Sequence, residues 1–403
     1  MIRSTVALTY ELDDLQLAAK ELAEQTRERL AFRENTFGLL ICDSEVDHDA
    51  FAREIRQRLH VPIVGFSSTA GFTREEGLTD MSASLTTVTS DDMRFAVAVS
   101  DPLTSDNVVE QIDRTYRAAV DSLEGEPVAV LAFAPYILGI MLDIYPRELS
   151  RVSGDLPVFG GIPAHDEIHG RTAVYCGDSV AQDRLTLLVL SGNVRPVFTV
   201  KNNLSTLVDL KRTVTRAKDN TVYTVGDETF VRFLERFGLD VEKIADATDK
   251  TTSFTAYPLL IESNDADSDG VPIVRTIHCV DMKTGSGTAI GEIPQGSTLS
   301  LGALKAADIE LSARNSIEDL LAKIRANEAD GYKYSTIFAI SCVGRYFVMA
   351  SKNTLETEVL LEGLPADLSL SGFYSFGEIC PTSIRDGKAR NAAHNESLVM
   401  LAF

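Results

Sequence analysis

The segment 335–378 decides the fold class. It opens with STIFAISC (335–342), a nearly continuous apolar run, and closes with LSGFYSFGE (370–378), which carries two glycines and an acid. Apolar runs of this kind are typical of strands that are buried on both faces of a sheet. A helix is predicted between them, near 353–362. The segment therefore predicts a strand–helix–strand unit whose two strands run parallel.

The same order of elements occurs twice more, upstream. FGLLIC (37–42) and VPIVGF (61–66) flank a predicted helix near 49–59, and AVLAFA (129–134) and LPVFGG (156–161) flank one near 141–150. Each unit continues with a glycine-bearing turn: VGFSSTAGF (64–72), FGGIPAHD (159–166) and SGFYSFGE (371–378). Each then ends with a further strand: SLTTVTS (84–90), LTLLVLS (185–191) and ESLVMLAF (396–403). We interpret them as three weak repeats and expect each turn at the carboxyl end of a strand; chance similarity among α/β units is the alternative.

The region between the second and third units follows a different pattern. DETFVRFLERFG (227–238) predicts a short amphipathic helix, and PLLIES (258–263) with VPIVRTIHCVD (271–281) predicts a hairpin. A capping-box pattern at Ser316 and Asp319 predicts the start of another helix, over 316–327. The predicted fold class is α/β, with two related α/β blocks built from strand–helix–strand units with mixed sheets. We place the boundary near 215–225, which gives domains at 1–220 and 221–403.

Composition excludes several classes of function. The chain has 403 residues and a formal net charge of −21, which disfavours nucleic acid and anionic membrane surfaces as partners. No apolar stretch approaches the length of a membrane-spanning helix, and the N-terminal sequence lacks the features of a signal peptide. Five cysteines without CxxC spacing match neither a disulfide framework nor a zinc site. We therefore expect a cytoplasmic location.

An ordered set of short motifs carries a family resemblance. SCVGRYF (341–347), GFYSFGEICP (372–381) and AHNESLVMLAF (393–403) stand near the C-terminus, after YPLLIE, VRTIHCVD and GEIPQGSTLSL in the middle. VGFSSTAGF and PVFGGIPAHD stand in the N-terminal half. Together they resemble the FIST family of sensory proteins over about 35–403. The first turn departs from the family pattern at Gly71–Phe72, and the second has an additional residue and a proline before Asp166.

The resemblance implies a sensory module for signal transduction in bacteria. Members of this family stand alone or are joined to output domains, and they are proposed to bind small ligands such as amino acids. We therefore expect a small-molecule ligand and no enzymatic activity. The output is expected on a separate signalling protein, such as a histidine kinase or a cyclic-dinucleotide enzyme.

Arg345 and Glu378 are the principal candidate site residues. Each follows a predicted buried strand of the third unit, and parallel neighbours end at the same edge of a sheet. A guanidinium can clamp a ligand carboxylate through two hydrogen bonds, and Glu378 can accept a ligand ammonium. The alternative is that the two side chains pair only with each other.

The other candidate residues lie at the ends of the predicted strands. His394 and Asn395 begin the last strand, where they either contact a ligand or cap the preceding loop. Ser67, Ser68 and Thr69 offer hydroxyls in a turn whose composition turn chemistry alone also explains. Cys342 is either a thiol activated by Arg345 or an inert core residue. The resemblance adds Gly160, Gly161 and Asp166.

The sequence also contains features of three other kinds of site. DADSDG (265–270) resembles half of an EF-hand loop, but Thr276 occupies the position of the required glutamate, so an acidic hairpin tip is the better interpretation. Some relatives bind haem and sense nitric oxide, and the histidines that could serve as axial ligands here are His165, His169, His278 and His394. We expect no cofactor, with haem as the alternative. An enzyme with Glu378 and His394 as an acid–base pair is a second alternative.

The expected mechanism is a shift between two conformations. Ligands of α/β proteins bind at the carboxyl ends of strands, where the glycine-bearing turns lie in this chain. A ligand that prefers one arrangement of the two blocks increases the population of that arrangement, and the partner detects the change.

Overall fold

The computed structural model shows a mixed α/β protein, as the sequence predicts. Its sheets contain both parallel and antiparallel pairs, and strand–helix–strand units recur along the chain. No helix within the described residues is long and apolar enough to span a membrane. The structure describes six segments of the chain: 1–165, 172–177, 179–206, 210–246, 254–262 and 273–403.

The first two units follow the same order of elements. Unit 1 contains β1 (Arg3–Thr9), α1 (Leu15–Arg29), β2 (Asn35–Asp43), α2 (His48–Leu59), β3 (Ile63–Ser68), β4 (Gly71–Thr73), β5 (Gly77–Thr79) and β6 (Ala83–Ser90). Unit 2 contains β7 (Met93–Val99), α3 (Val108–Ser122), β8 (Pro127–Phe133), α4 (Ile144–Ser153), β9 (Val158–Ile162), β10 (Val174–Gly177), β11 (Val180–Ala181) and β12 (Thr186–Gly192).

Unit 3 contains a long insertion. It begins with β13 (Val197–Lys201), and the insertion follows with β14 (Ser205–Thr206), β15 (Arg212–Lys218), β16 (Thr221–Val225), β17 (Glu228–Thr229), α5 (Phe230–Glu235), α6 (Val241–Asp246), β18 (Leu259–Glu262), β19 (Ile273–Arg275), β20 (Ile277–Asp281), β21 (Ser286–Ala289) and β22 (Thr298–Ala303). The unit resumes with α7 (Ala306–Glu328), β23 (Thr336–Cys342), α8 (Val343–Met349), α9 (Leu355–Gly363), β24 (Ser369–Ser375), β25 (Gly377–Arg385), β26 (Lys388–His394) and β27 (Leu398–Ala402).

Three sheets share one strand order. Within the described residues, the first sheet runs β1-β6-β2-β3-β10-β11, the second β7-β12-β8-β9-β25-β26 and the third β13-β27-β23-β24-β4-β5. The pairs β2–β3, β8–β9 and β23–β24 are parallel, and the other strand pairs in these sheets are antiparallel. The repeats read from the sequence are therefore structural repeats.

Each unit donates a hairpin to the sheet of another unit. The hairpin β4–β5 of unit 1 completes the third sheet, β10–β11 of unit 2 completes the first, and β25–β26 of unit 3 completes the second. The chain crosses between sheets directly after β3, β9 and β24, which are the ends at which the sequence placed the three turns. The expectation that each turn follows the carboxyl end of a strand is confirmed.

Glycine is required where two of these strands pass their neighbours. Gly65 in β3 has a φ of +145°, and a Cβ there would lie 1.9 Å from the carbonyl oxygen of Leu40. Gly160 in β9 has a φ of +149°, and its Cβ would lie 1.9 Å from the carbonyl oxygen of Ala132. Any side chain would push the parallel strands apart at both positions.

The three sheets enclose a central core. Phe66 of β3, Phe133 of β8 and Phe373 of β24 meet there, and Phe66 lies 5.0 Å from each of the other two rings. Each unit thus contributes one aromatic ring to the same contact. Such rings bury large apolar areas and favour offset or tilted packing. This contact holds the three sheets together around one core.

Helices cover the outer faces of the sheets. Leu22 of α1 and Phe51 and Ile55 of α2 pack on the first sheet. Asp14 caps α1 by accepting hydrogen bonds from the backbone N–H groups of Gln16 and Leu17, each at 3.1 Å. The central sheets are therefore covered on both sides, which explains the nearly continuous apolar runs of their strands.

The insertion forms a fourth sheet with its own core. We call it the inserted sheet; it runs β19-β18-β22-β15-β16-β21-β20, with β14 and β17 at its margins. Phe230, Phe233 and Leu234 of α5 are buried in its core, as the helix pattern predicted. The predicted hairpin of β18 and β19 is present, and the DADSDG tip lies outside the described residues.

The predicted start of the helix at Ser316 is wrong. Helix α7 begins ten residues earlier, at Ala306, and Ser316 is buried in its interior. The backbone N–H of Lys305 donates to Asp308 at 3.0 Å at the true start. Asp319 instead pairs with Lys323 one turn along the helix. Ser316 and Asp319 thus fit the capping-box sequence pattern, but they lie inside the helix and do not cap it.

Candidate functional site

The strand ends of unit 3 bring together most of the predicted site residues. Strand β23 ends at Cys342, and the neighbouring β24 ends at Ser375, opposite it in the parallel pair. The chain then crosses into the second sheet, where Glu378 of β25 lies opposite both Gly161 and His394. Glu396 follows two residues after His394. We call Cys342, Arg345, Glu356, Glu378 and Glu396 the acidic cluster.

Arg345 is fully buried at the start of α8, and its side-chain partners come from helices α7 and α9. Its Nε donates to Glu356 Oε1 at 3.0 Å, and its Nη2 forms an ion pair with the same oxygen. Nη2 also donates to Ser312 Oγ at 2.8 Å. The alternative that Arg345 and Glu378 pair only with each other is therefore wrong, because α9 brings Glu356 onto the guanidinium.

Glu356 is saturated by this arrangement. Both of its oxygens are engaged, because Ser341 Oγ donates to Oε2 at 2.6 Å. The pair of Glu356 and Arg345 is thus closed within the fold of unit 3. A buried ion pair whose remaining polar atoms are hydrogen-bonded is stable. The guanidinium of Arg345 then has no pair of N–H groups left to bind a ligand carboxylate through two hydrogen bonds.

Glu396 is buried without an ion pair. Its backbone adopts a φ of +53°, which is uncommon for a residue other than glycine. Thr276 of the inserted sheet donates its hydroxyl to Glu396 Oε1 at 2.6 Å, whereas Oε2 has no hydrogen-bond partner among the described residues. Gly344 leaves room for this carboxyl group, since a Cβ there would lie 2.6 Å from Oε2. Burial raises the pKa of Glu396 to about 7.

Glu378 is the least satisfied member of the cluster. Its side chain is 0% exposed, and neither carboxyl oxygen has a hydrogen-bond partner of good geometry among the described residues. Burial raises its pKa well above the usual value, and the charge of Glu396 raises it further. Arg345, the backbone N–H of Ser397 and the thiol of Cys342 lower the pKa, but more weakly. A buried polar group without a partner costs free energy, so this carboxyl group is poised to bind a proton or a cation.

Cys342 is not an activated thiol. It is buried, and burial together with the charges of Glu378 and Glu396 raises its pKa well above the usual value. The thiol therefore stays protonated at neutral pH. Between the two interpretations of Cys342, the structure favours the inert core residue, because burial and the neighbouring carboxyl groups both raise the pKa of the thiol.

His394 and Asn395 join this region to the inserted sheet. The His394 Nε2 atom lies 2.9 Å from the carbonyl oxygen of Cys380, and burial lowers the pKa of the imidazole to about 4. The backbone N–H of Thr276 donates to Asn395 Oδ1 at 3.3 Å. Both side chains thus have structural partners. The imidazole of His394 is directed to a backbone carbonyl, although Glu378 lies opposite it in the ladder.

Arg275 of the inserted sheet secures the same junction. It is buried, forms an ion pair with Asp143, and donates to the carbonyl oxygen of Ala393 at 3.1 Å. Asp143 also accepts a hydrogen bond from the backbone N–H of Glu292 at 2.9 Å. The inserted sheet therefore covers the strand ends of unit 3 and contacts unit 2 as well.

The predicted residues of the first two turns lie elsewhere. Ser67 Oγ accepts a hydrogen bond from the backbone N–H of Ala173 at 2.8 Å, and Ser68 Oγ lies 2.6 Å from the carbonyl oxygen of Ala70. Both hydroxyls thus tie the strand crossings together. Thr69 has a buried Oγ1 without a partner among the described residues.

The glycines of the second turn also have a structural explanation. Gly160 allows the close passage of β8 and β9, and a Cβ at Gly161 would lie 2.8 Å from the carbonyl oxygen of Gly377. Asp166 lies outside the described residues, as does His169. Two further candidate haem ligands have different surroundings. His278 is exposed in β20, whereas the ring of His165 packs against that of Phe376, with 5.0 Å between the ring centroids.

Sequence reasoning missed Glu356, Glu396 and Thr276. Glu356 resembles an ordinary charged residue of a surface helix, but it is spaced i, i+3, i+4 with Val359 and Leu360, which are buried. That spacing placed it on the core face and was a usable signal. No local pattern pointed to Thr276, because its role depends on how the inserted sheet docks. Among the described residues, no group of three or more His, Cys, Asp or Glu side chains could hold a metal ion.

Family models match most of this chain. The FIST N domain matches residues 36–228, and the FIST C domain matches residues 234–381. This chain belongs to the FIST family. FIST domains are generally sensory domains that bind small ligands. The FIST C match ends inside β25, so it includes Cys342, Arg345, Glu356 and Glu378 of the acidic cluster.

Comparisons with other proteins are less informative. No curated protein sequence matches this FIST protein. Among solved structures, it is similar to cyanuric acid hydrolase from A. caulinodans, with 8% identity, coverage of 100% of this chain and 99% of that chain, and a TM-score of 0.39. It also matches T. maritima PurL complexed with ATP, with 10% identity, coverage of 100% and 71%, and a TM-score of 0.20. Neither score supports a conclusion about fold or function.

Proposed function

We propose that this FIST protein is a sensor that binds a small metabolite carrying an ammonium group, such as an amino acid, at the acidic cluster. One observation carries the proposal: Glu378 is fully buried, and neither of its oxygens has a hydrogen-bond partner of good geometry among the described residues, although the backbone N–H of Ser397 and the thiol of Cys342 lie close to it. An ammonium group would supply both the missing donors and the missing positive charge.

The charges of the cluster support an ammonium in particular. Glu356, Glu378 and Glu396 are all buried there, and the one buried guanidinium among them, Arg345, is paired with Glu356. Glu378 and Glu396 are left without a counter-ion in the cluster, and each raises the cost of ionising the other. A cationic ligand relieves both penalties. Arg345 then acts by holding Glu356, and the ammonium end of the ligand is the end that the cluster recognises.

The inserted sheet offers a route for the signal. Glu396 accepts its hydrogen bond from Thr276 of that sheet, so a ligand that engages Glu396 competes with or reorients this contact. Such a ligand favours one arrangement of the inserted sheet over unit 3 by its difference in affinity for the two arrangements. We further propose that a separate signalling protein in the cytoplasm, such as a histidine kinase or a cyclic-dinucleotide enzyme, detects that arrangement.

The proposal can be tested by thermal unfolding of the purified chain with single amino acids, with the corresponding amines and with the corresponding carboxylic acids. Ligands that bind the folded state raise the melting temperature in a saturable manner. We expect amino acids or amines to do so and carboxylic acids not to. Glu378→Gln should weaken the affinity by about 10- to 100-fold, as expected for a lost charged hydrogen bond. Glu124→Gln is the control, because its side chain is 83% exposed.

Two results would contradict the proposal. Binding that is equally tight in Glu378→Gln would place the ligand elsewhere, and binding of carboxylic acids alone would exclude an ammonium site.

The same purified protein can be tested for the two alternative functions, a haem sensor and an enzyme. A Soret band after addition of haem would support a haem sensor, and turnover that is lost in both Glu378→Gln and His394→Gln would support an enzyme.

A further inference from the structure

A small polar cavity lies at the strand ends of unit 1, apart from the acidic cluster. Its volume is about 10 Å³, and Asp43, Ser68, Thr69, Thr79, Met81 and Ser82 are among the residues that line it. A volume of this size holds one species of about the size of a water molecule. The cavity is therefore too small for a metabolite but large enough for a single ion.

The cavity occupies the same place in unit 1 as the acidic cluster does in unit 3. Asp43 lies opposite Ser68 in the pair of β2 and β3. In the same way, Cys342 lies opposite Ser375 in the pair of β23 and β24. The backbone N–H of Asp43 donates to the carbonyl oxygen of Ser82 at 3.0 Å, and that of Cys342 donates to Ser397 at 3.0 Å. These correspondences come from the fold and do not depend on the proposed function.

The two places differ in what covers them. Met81 corresponds to Glu396 in this alignment, and both have a positive φ, of 45° and 53°. Glu396 is buried beneath the inserted sheet, whereas Met81 is 71% exposed. The cavity of unit 1 is thus accessible from solvent, and an ion can exchange there without movement of the inserted sheet.

Two hydroxyl groups in the cavity lack partners. Thr79 is 2% exposed, and its Oγ1 makes no hydrogen bond within the described part of the chain. Thr69 Oγ1 is also buried and unpartnered within that part. Burying hydroxyls in this way costs free energy unless something else supplies a contact. Both threonines line the cavity, so we expect a species bound there to contact these hydroxyls.

The lining selects a cation of low charge. Asp43, whose Oδ1 accepts a hydrogen bond from the backbone N–H of Glu45 at 2.9 Å, is the charged side chain among the described residues around the cavity. The other polar side chains there carry hydroxyls and a thiol. Oxygen ligands suit hard cations, but Ca²⁺ and Mg²⁺ are usually held by several carboxylates or by ordered waters in a larger site. A monovalent cation that replaces its hydration shell with neutral oxygens fits this lining and volume better.

We propose that the cavity of unit 1 binds one monovalent cation, K⁺ or NH₄⁺, through Thr69, Thr79 and Asp43. The cation lies beside the crossing from β3 to β4, where the chain passes from the first sheet into the third. It therefore stabilises the contact between two of the three sheets. Its role is structural support of the crossing and does not require the ligand of the acidic cluster.

The test compares melting temperatures in the chlorides of K⁺, NH₄⁺, Na⁺ and choline at one ionic strength. A bound ion stabilises the folded state in a saturable manner, whereas general screening acts equally in all four salts. We expect K⁺ and NH₄⁺ to raise the melting temperature above that in choline. Thr79→Val should weaken the apparent cation affinity at least tenfold, and Asp43→Asn should do the same.

Thr199→Val is the matched control. Thr199 is also buried with an unpartnered Oγ1 among the described residues, but it lies in β13 and does not line the cavity. The rise in its melting temperature in K⁺ relative to choline should equal that of the wild type.

Equal melting temperatures in all four salts would mean that the cavity holds only water and would overturn the proposal. So would a K⁺ effect that persists in Thr79→Val. If that variant does not fold, the anomalous signal of Rb⁺ in crystals of the wild type decides: a peak between Thr69 and Thr79 supports the site, and its absence overturns it.

Discussion

At the scale of single residues, the buried charges of unit 3 depend on Arg345. It contacts helices α7 and α9 through Ser312 and Glu356, and it donates to the carbonyl oxygen of Glu396 at 3.4 Å. It therefore links two helices to the segment before the last strand. A guanidinium is needed at this position for structural reasons, because its planar set of N–H donors can satisfy several acceptors at fixed angles. Binding of a ligand is not required to explain it.

This role predicts strong coupling between Arg345 and Glu356. Arg345→Met leaves the Glu356 carboxylate buried without its cation, and Glu356→Leu leaves the guanidinium without its anion. Each single change should cost about 3–5 kcal/mol of unfolding free energy, because removing one partner of a buried pair leaves an uncompensated charge. The double variant should lose clearly less than the sum of the two. Chemical denaturation of all four proteins measures this coupling, and strictly additive losses would show that the pair is not the source of the stability.

Glu396 predicts the pH dependence of stability. Its pKa is raised from 4.5 to about 7 in the folded protein, so the folded state binds more protons than the unfolded state between these values. The stability that it contributes is present below pH 4.5 and is lost as the pH rises through 7. His394, whose pKa is lowered to about 4, has the opposite effect and gains stability as the pH rises toward 6.5.

The Glu396 effect is therefore best isolated above pH 6.5, where most of the contribution of His394 has already been gained. We expect the melting temperature of the wild type to fall between pH 6.5 and 8, and Glu396→Gln to flatten this decline. Glu378 titrates in the same direction, so part of the decline should remain in the single variant. Thermal unfolding of wild type, Glu396→Gln and Glu124→Gln in a series of buffers measures the effect. An unchanged decline in Glu396→Gln would contradict the assignment.

At the scale of elements, the sequence predicted the parallel strand pairs and their helices well. STIFAISC, FGLLIC and AVLAFA became β23, β2 and β8, because apolar runs report burial on both faces directly. The sequence did not show that each hairpin after the glycine-bearing turn joins a different sheet. Strand pairing of this kind depends on long-range packing, as in the pairing of Phe72 with Gly372, and no local pattern encodes it.

The same limit explains the predictions for the site. Glu378 and His394 were expected close together, and they lie opposite each other in the pair of β25 and β26, but His394 ends β26 and does not begin the last strand, which starts at Leu398. The partner of Arg345 was missed, because Glu356 reaches it from a helix whose docking is set by the core. Ser68 was expected to face a ligand, but its hydroxyl bridges two backbone carbonyls at a crossing that was not foreseen.

At the scale of the whole molecule, the exchanged hairpins interlock the two halves of the chain. Strand β4, near the N-terminus, pairs with β24 of the third sheet, and β25, near the C-terminus, pairs with β9 of the second. Removing either half would expose the edges of β9 and β24 and part of the central core around Phe66 and Phe373. Unpaired edges and exposed cores of this kind lead to aggregation. The FIST N and FIST C matches divide the sequence, but the described sheets are built from both.

This architecture predicts that the two halves do not fold separately. We expect fragments 1–220 and 221–403 to be insoluble or unfolded when each is expressed alone, because each lacks strands that complete its sheets. When the two are expressed together, they should associate and recover native far-UV and near-UV circular dichroism. The intact chain should correspondingly lose helical signal and the near-UV signal of its buried tyrosines in one transition during denaturation. A fragment 1–220 that alone unfolds cooperatively, with a midpoint close to that of the intact chain, would show that the exchanged hairpins contribute little. In that case the stability would reside within each half.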